Sequence, residues 1–124
     1  TRRATPDRAG RVSLRVACVY RARACRSTIE LRTTRALRAR VGGRTVRIAA
    51  RTRVGRAQRT IPWGRSEAVR IPTTAAFRRV LARQRRPVTL RMTVSARDSG
   101  AGAAAPVTRT AATVTIGRTV ARGR

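Results

Sequence analysis

The chain has 124 residues, the length of one domain, and sets 31 arginines against four carboxylates, a net charge of +27 with no lysine and no histidine. Without histidine there is no Ser-His-Asp or Cys-His arrangement and no side chain that ordinarily titrates near neutrality. Apolar runs fall far short of the ~20 residues of a membrane-spanning helix, so no transmembrane segment is expected.

Asparagine is also absent, and alanine, glycine and arginine abound, which suits a GC-rich gene. Codon bias turns lysine into arginine. It does not explain why Asp and Glu are scarce, so the sign of the charge keeps a physical meaning. The chain opens at Thr1 rather than Met and shows no signal sequence, as a mature or excised piece would.

Residues 1–10 have no period and contain Pro6 and Gly10. They read as a linker or a loosely attached first strand. From Arg11 the alternation is strict. Val12, Leu14, Val16 and Cys18 face one way, and Arg11, Ser13, Arg15 and Ala17 the other, as in a half-buried strand. Ile29 and Leu31 carry the second strand, with Thr28, Glu30 and Arg32 outward. Between these two lie Cys18 and Cys25. A zinc site is not expected, because a second pair of ligands is missing. A short hairpin joining the two strands brings the cysteines within disulfide reach. The alternative is two free, half-buried thiols. A bridge implies an oxidising compartment, extracellular or at the cell surface.

Val41 leads into the turn signal Gly42-Gly43, and Val46 and Ile48 form a third strand. Val54, Thr60 and Ile61 permit a fourth, broken by Pro62-Trp63-Gly64. Val69 and Ile71 form the fifth. The period then changes: Phe77, Val80, Leu81 and Gln84 line one face of a short helix over about 73–85, capped by Thr73 or Thr74 and stopped by Pro87. Val88, Leu90, Met92, Val94 and Ala96 form the cleanest strand. After the loop DSGAGAAAP, Val107 to Ile116 is the last. About seven strands and one helix, between the fifth and sixth strands, predict an all-β antiparallel sandwich over 11–117, with a basic tail at 118–124.

The strand ending in Cys18, the restart CRSTIELRT, the helix TTAAFRRVLAR, the run VTLRMTVSARDSGAG and the threonine-rich final strand, taken in that order, give the chain a likeness over 11–117. It resembles bacterial immunoglobulin-like or fibronectin-type-III-like modules of secreted and surface proteins from GC-rich bacteria. Members often close with an Asp-x-x-Gly-Asn loop, which Asp98-Ser99-Gly100-Ala101-Gly102 approximates without the asparagine. The resemblance implies a non-catalytic extracellular module and carries over no binding residues.

The acids are Asp7, Glu30, Glu67 and Asp98. Glu30 and Glu67 can in principle meet as a glycosidase-like pair, but exposed ion pairs with arginine suit them better. Asp98 alone is too little for tight calcium binding, and Gly42-Gly43 opens no phosphate loop. No catalytic residue, metal or cofactor is expected. Trp63 at its turn either stacks on a sugar or base or lids the core edge.

That leaves arginine as an electrostatic surface, forking phosphate and carboxylate groups. Arg11, Arg15 and Arg32 are candidates for one sandwich face, Arg91, Arg97 and Arg109 for another, and Arg78, Arg79 and Arg83 for the helix side. The leading expectation is a non-enzymatic structural or adhesive module contacting an anionic polymer, a cell-wall component or neighbouring domains of a longer chain. The alternatives are a nucleic-acid-associated basic protein and an oligomeric filament subunit assembled by strand addition.

Overall fold

The computed structural model describes residues 2–18, 24–98 and 108–117. Among these residues are nine strands and one helix: β1 (Arg2–Ala4), β2 (Val12–Ala17), β3 (Ala24–Thr33), β4 (Leu37–Val41), β5 (Arg44–Ile48), β6 (Arg53–Pro62), β7 (Ser66–Ile71), α1 (Ala75–Ala82), β8 (Val88–Asp98) and β9 (Thr108–Ile116). The glycine-rich loop expected after Asp98 and the basic tail at 118–124 lie outside the described residues.

A five-stranded sheet runs in the order β1-β9-β8-β3-β6, and two two-stranded sheets are β2-β7 and β4-β5. Two expectations are corrected here. Nine strands replace about seven, because β1 forms inside the segment read as linker or loose strand, and β4 precedes the Gly42-Gly43 turn. The large sheet is mixed rather than antiparallel, because Arg2–Ala4 runs parallel to Val114–Ile116.

The inner faces follow the period of two. Cys25, Ser27, Ile29, Leu31 and Thr33 on β3 are buried, as are Val88, Leu90 and Met92 on β8 and Val114 and Ile116 on β9. Val12, Leu14 and Val16 on β2 and Val69 and Ile71 on β7 are buried in the same core. Helix α1 adds Phe77, Val80 and Leu81. Its cap is Thr74, whose hydroxyl accepts from the Phe77 amide at 3.2 Å. The neighbouring Thr73 is buried and donates to the Gly10 carbonyl.

Strand β6 changes register against β3 between Leu31 and Arg32. Gly55 pairs with Leu31 and Arg53 with Arg32, leaving Val54 as the extra residue of a bulge. The bulge turns the strand toward the chain that leaves β7. Gly55 bridges Thr73, and the Thr74 amide donates to the Val54 carbonyl at 2.9 Å. A Cβ at Gly55 would sit 3.2 Å from both the Ile71 side chain and the Pro72 carbonyl, so glycine eases the close approach and a side chain would need its neighbours to shift by a few tenths of an ångström.

The cysteines are bridged, with Cα atoms 5.4 Å apart. The hairpin expected to join them is not the arrangement found. β2 pairs with β7, and β3 pairs with β6 and β8. Cys18 therefore follows a strand of one sheet and Cys25 lies in the other, so the bond fastens sheet to sheet. Replacing both cysteines by alanine is expected to cost about 2.5 kcal/mol through the freed denatured chain, read as a lower urea midpoint.

Candidate anion-binding surface

Many of the described arginines occupy outward positions of strands, and register decides which meet. On the large sheet Arg26 faces Arg97, and Arg32 stands between Arg53 and Arg91. Like charges directly opposite destabilise a sheet. Glu30 offsets part of this. Its carboxylate accepts from Arg32 at 3.2 Å and from Arg53 at 3.4 Å, with Arg56 Nε at 3.9 Å. Thr28, Gln58, Ser95 and Arg109 fill the neighbouring outward positions, Arg109 opposite Ser95.

The β4-β5 ribbon forms a second cationic face. Gly42 and Gly43 both have positive φ, the condition of a type I′ hairpin turn. Pairing then sets Arg38 against Arg47 and Arg40 against Thr45 on the exposed side. A cleft of about 340 Å³ runs along them. The ribbon's other side, Leu37 and Ile48 above all, is buried toward α1.

The candidate residues divide differently from the expected grouping. Arg15 belongs to the β2-β7 sheet and Arg11 sits just before β2, whereas Arg32 shares the large sheet's outer face with Arg91, Arg97 and Arg109. Arg15 donates to the Ser66 carbonyl at 3.0 Å and Arg32 to the Arg51 carbonyl at 3.3 Å. Arg78 is a structural tie. It donates to the Thr73 carbonyl at 2.6 Å, and its stem fills the space a side chain at Gly10 would need. Arg79 and Arg83 are exposed on the helix and at its C-cap. Arg26, Arg38, Arg40, Arg47, Arg53 and Arg56 were not among the candidates. The signal for three of them was present, since R-A-R before Gly42-Gly43 and R-T-V-R after it read as two arms of a hairpin.

The acids are engaged separately. Glu67 holds an inner-face position of β7 and accepts from Arg59 of β6 at 3.2 Å, an ion pair between the two sheets. Glu30 is on the outer face, so the two glutamates do not form a carboxylate pair. Asp7 closes the loop before β2. One oxygen accepts from the Ala9 and Arg11 amides, each at 2.9 Å, and the other from Arg11 Nε at 3.0 Å. The Arg11 amide above all, with the guanidinium, holds this carboxyl below its ordinary value. Among the described residues no group of three or more acids and cysteines is placed to hold a metal. Trp63 is 53% exposed at the β6-β7 turn, so it does not lid the core.

No protein-family model matches the chain, and neither a curated protein nor a solved structure matches it.

Two outcomes follow from these ion pairs. Glu30→Gln is expected to lower stability by less than about 1 kcal/mol at low salt, with the deficit shrinking as salt rises, measured by thermal unfolding. Asp7 has a depressed folded pKa. Its contribution is therefore complete above the ordinary carboxylate value of about 3.9 and lost as pH falls through the lower folded one. The Ala9 and Arg11 amide resonances should titrate with a midpoint below that ordinary value, and Asp7→Asn should abolish the transition.

Proposed function

We propose that the chain is a non-catalytic structural or adhesive module of the cell exterior, an immunoglobulin-like sandwich whose arginine faces dock on an anionic polymer or an acidic neighbouring domain. The observation that carries this reading is the in-register opposition of arginines, Arg26 with Arg97, Arg32 with Arg91 and Arg38 with Arg47, on solvent-facing strands. Such pairs repel one another. A bound row of phosphates or carboxylates turns that repulsion into attraction. Glu30 is the sole carboxylate among the described residues of the large sheet's outer face, so little internal charge competes.

Strand order supports the immunoglobulin-like assignment. The chain passes from β2 to β3 in the facing sheet, returns from β6 to β7 beside β2, and crosses back to β8 beside β3. β4-β5 and α1 are then insertions between strands of the sandwich. The Cys18–Cys25 bond supports an oxidising compartment. Among the described residues, no helix is long and apolar enough to cross a membrane.

One observation favours nucleic acid as the second reading. A two-stranded ribbon with Arg38, Arg40 and Arg47 on one side has the dimensions that enter a major groove. Filament assembly by strand addition has less support, because β1 already occupies the β9 edge of its own chain.

Binding to an immobilised uronic-acid polymer and to duplex DNA, measured against salt, separates these readings. Affinity should fall steeply with salt for the polymer. The triple variant Arg38→Gln, Arg40→Gln, Arg47→Gln should flatten the slope by roughly 0.7–0.9 for each anionic group that is no longer neutralised. Retention of DNA against excess acidic polysaccharide would favour the nucleic-acid reading. No retention of the polymer even at low salt would overturn the proposal.

A further inference from the structure

The two halves of the large sheet's outer face differ in how their arginines are neutralised. Around Arg32 and Arg53, Glu30 supplies the anion. Around Arg26 and Arg97, none of the carboxylates whose side chains are described, Asp7, Glu30 and Glu67, forms an ion pair. The next outward side chains along these strands are neutral donors. Thr28 lies opposite Ser95 and Gln58, and the Gln58 amide donates to the Thr28 hydroxyl at 3.4 Å. These five residues, Arg26, Thr28, Gln58, Ser95 and Arg97, line one cleft of about 240 Å³ across β6, β3 and β8. Thr28, Ser95 and Arg97 are half-buried in its floor and wall.

We infer that this cleft is a discrete site for a phosphate group, a localised inference that rests on the polyanion reading above. Each guanidinium offers five N–H donors in a planar fork, and the two hydroxyls and the amide add more. A carboxylate has two oxygens to meet that array. A phosphate ester has more, arranged tetrahedrally, so donors from three adjacent strands can each find one. Adjacent strands hold Arg26 and Arg97 at ordinary cross-strand spacing, so one anion can bridge both forks without backbone movement. The bound charge would also relieve the repulsion of the pair. The site is on rigid strands, with Cys25 of the inter-sheet bond next to Arg26.

The test is NMR titration of the intact chain with inorganic phosphate, glycerol phosphate and acetate at constant ionic strength. The variants are Arg26→Gln with Arg97→Gln, Arg26→Lys with Arg97→Lys, and Arg85→Gln with Arg86→Gln, the last matching the first in charge change away from the cleft. Both phosphates should shift the Thr28 and Ser95 amides and saturate. The cleft glutamine pair should weaken binding about tenfold or more, and the lysine pair severalfold despite its unchanged charge. The Arg85/Arg86 pair should stay within about twofold of wild type. Equal losses in the two charge-matched glutamine variants, or no loss with lysine, would reduce the site to a diffuse field. That result would overturn this inference and leave the polymer reading intact. Acetate binding as tight as phosphate would overturn the assignment of the ligand. Failure of the wild type to hold any anionic polymer would instead overturn the broader reading.

Discussion

The five-stranded sheet, the β2-β7 pair, the β4-β5 ribbon and α1 close over one core whose single buried aromatic among the described residues is Phe77. Branched aliphatic side chains do most of the filling, and they pack only while the sheets keep their separation and register. Three ties hold that geometry at different places. The Cys18–Cys25 bond crosses from the end of β2 to the start of β3. The Gly55–Thr73 bridge turns the edge of β6 toward the chain leaving β7. Thr73 also donates to the Gly10 carbonyl, while Arg78 lies over Gly10 and donates to Thr73. Small residues stand where backbones meet, and the covalent bond stands where the chain passes from β2 to β3.

The same scaffold makes so large an imbalance of charge tolerable. Strand alternation sends arginines such as Arg15, Arg26, Arg32, Arg70, Arg91 and Arg97 outward, on positions that the neighbouring aliphatic groups do not use. Water and salt then screen most of the repulsion. The few acids each do a local job: Asp7 closes a loop, Glu67 spans the sheets and Glu30 sits among three arginines. None of these three pairs with the ribbon face or with Arg26 and Arg97. The fold thus concentrates unopposed cations in two places although the sequence spreads them almost evenly.

Much of this was legible beforehand, for reasons that can be traced. β2, β3 and β8 obey a clean period of two because one face of each is buried along its length. Helix α1 emerged from its spacing and its threonine cap. β6 read poorly because the bulge at Val54 puts two consecutive residues, Val54 and Gly55, inside and breaks the alternation. β4 was passed over because its inward residues include Ala39 and a half-buried Val41, too small a signal beside the exposed Arg38 and Arg40. β1 is only three residues long and takes its order from β9, a partner more than a hundred positions away. Pairing was the larger loss. Sequence neighbours suggested that β2 and β3 form a hairpin, and the choice of β7 instead depends on closing the core as a whole. The cationic clusters went unseen for the same reason, since Arg26 meets Arg97 only through that pairing.

The parallel run of β1 beside β9 has a mechanical consequence. A pull that separates the two ends of the domain draws β1 backward along its axis and β9 forward along the same line. The rungs between them are then loaded together in shear, rather than opened one after another as a peeled hairpin would be. Sheared rungs share the force, so the pairing resists tension out of proportion to its length. That geometry places the load on β1, outside the disulfide-tied core.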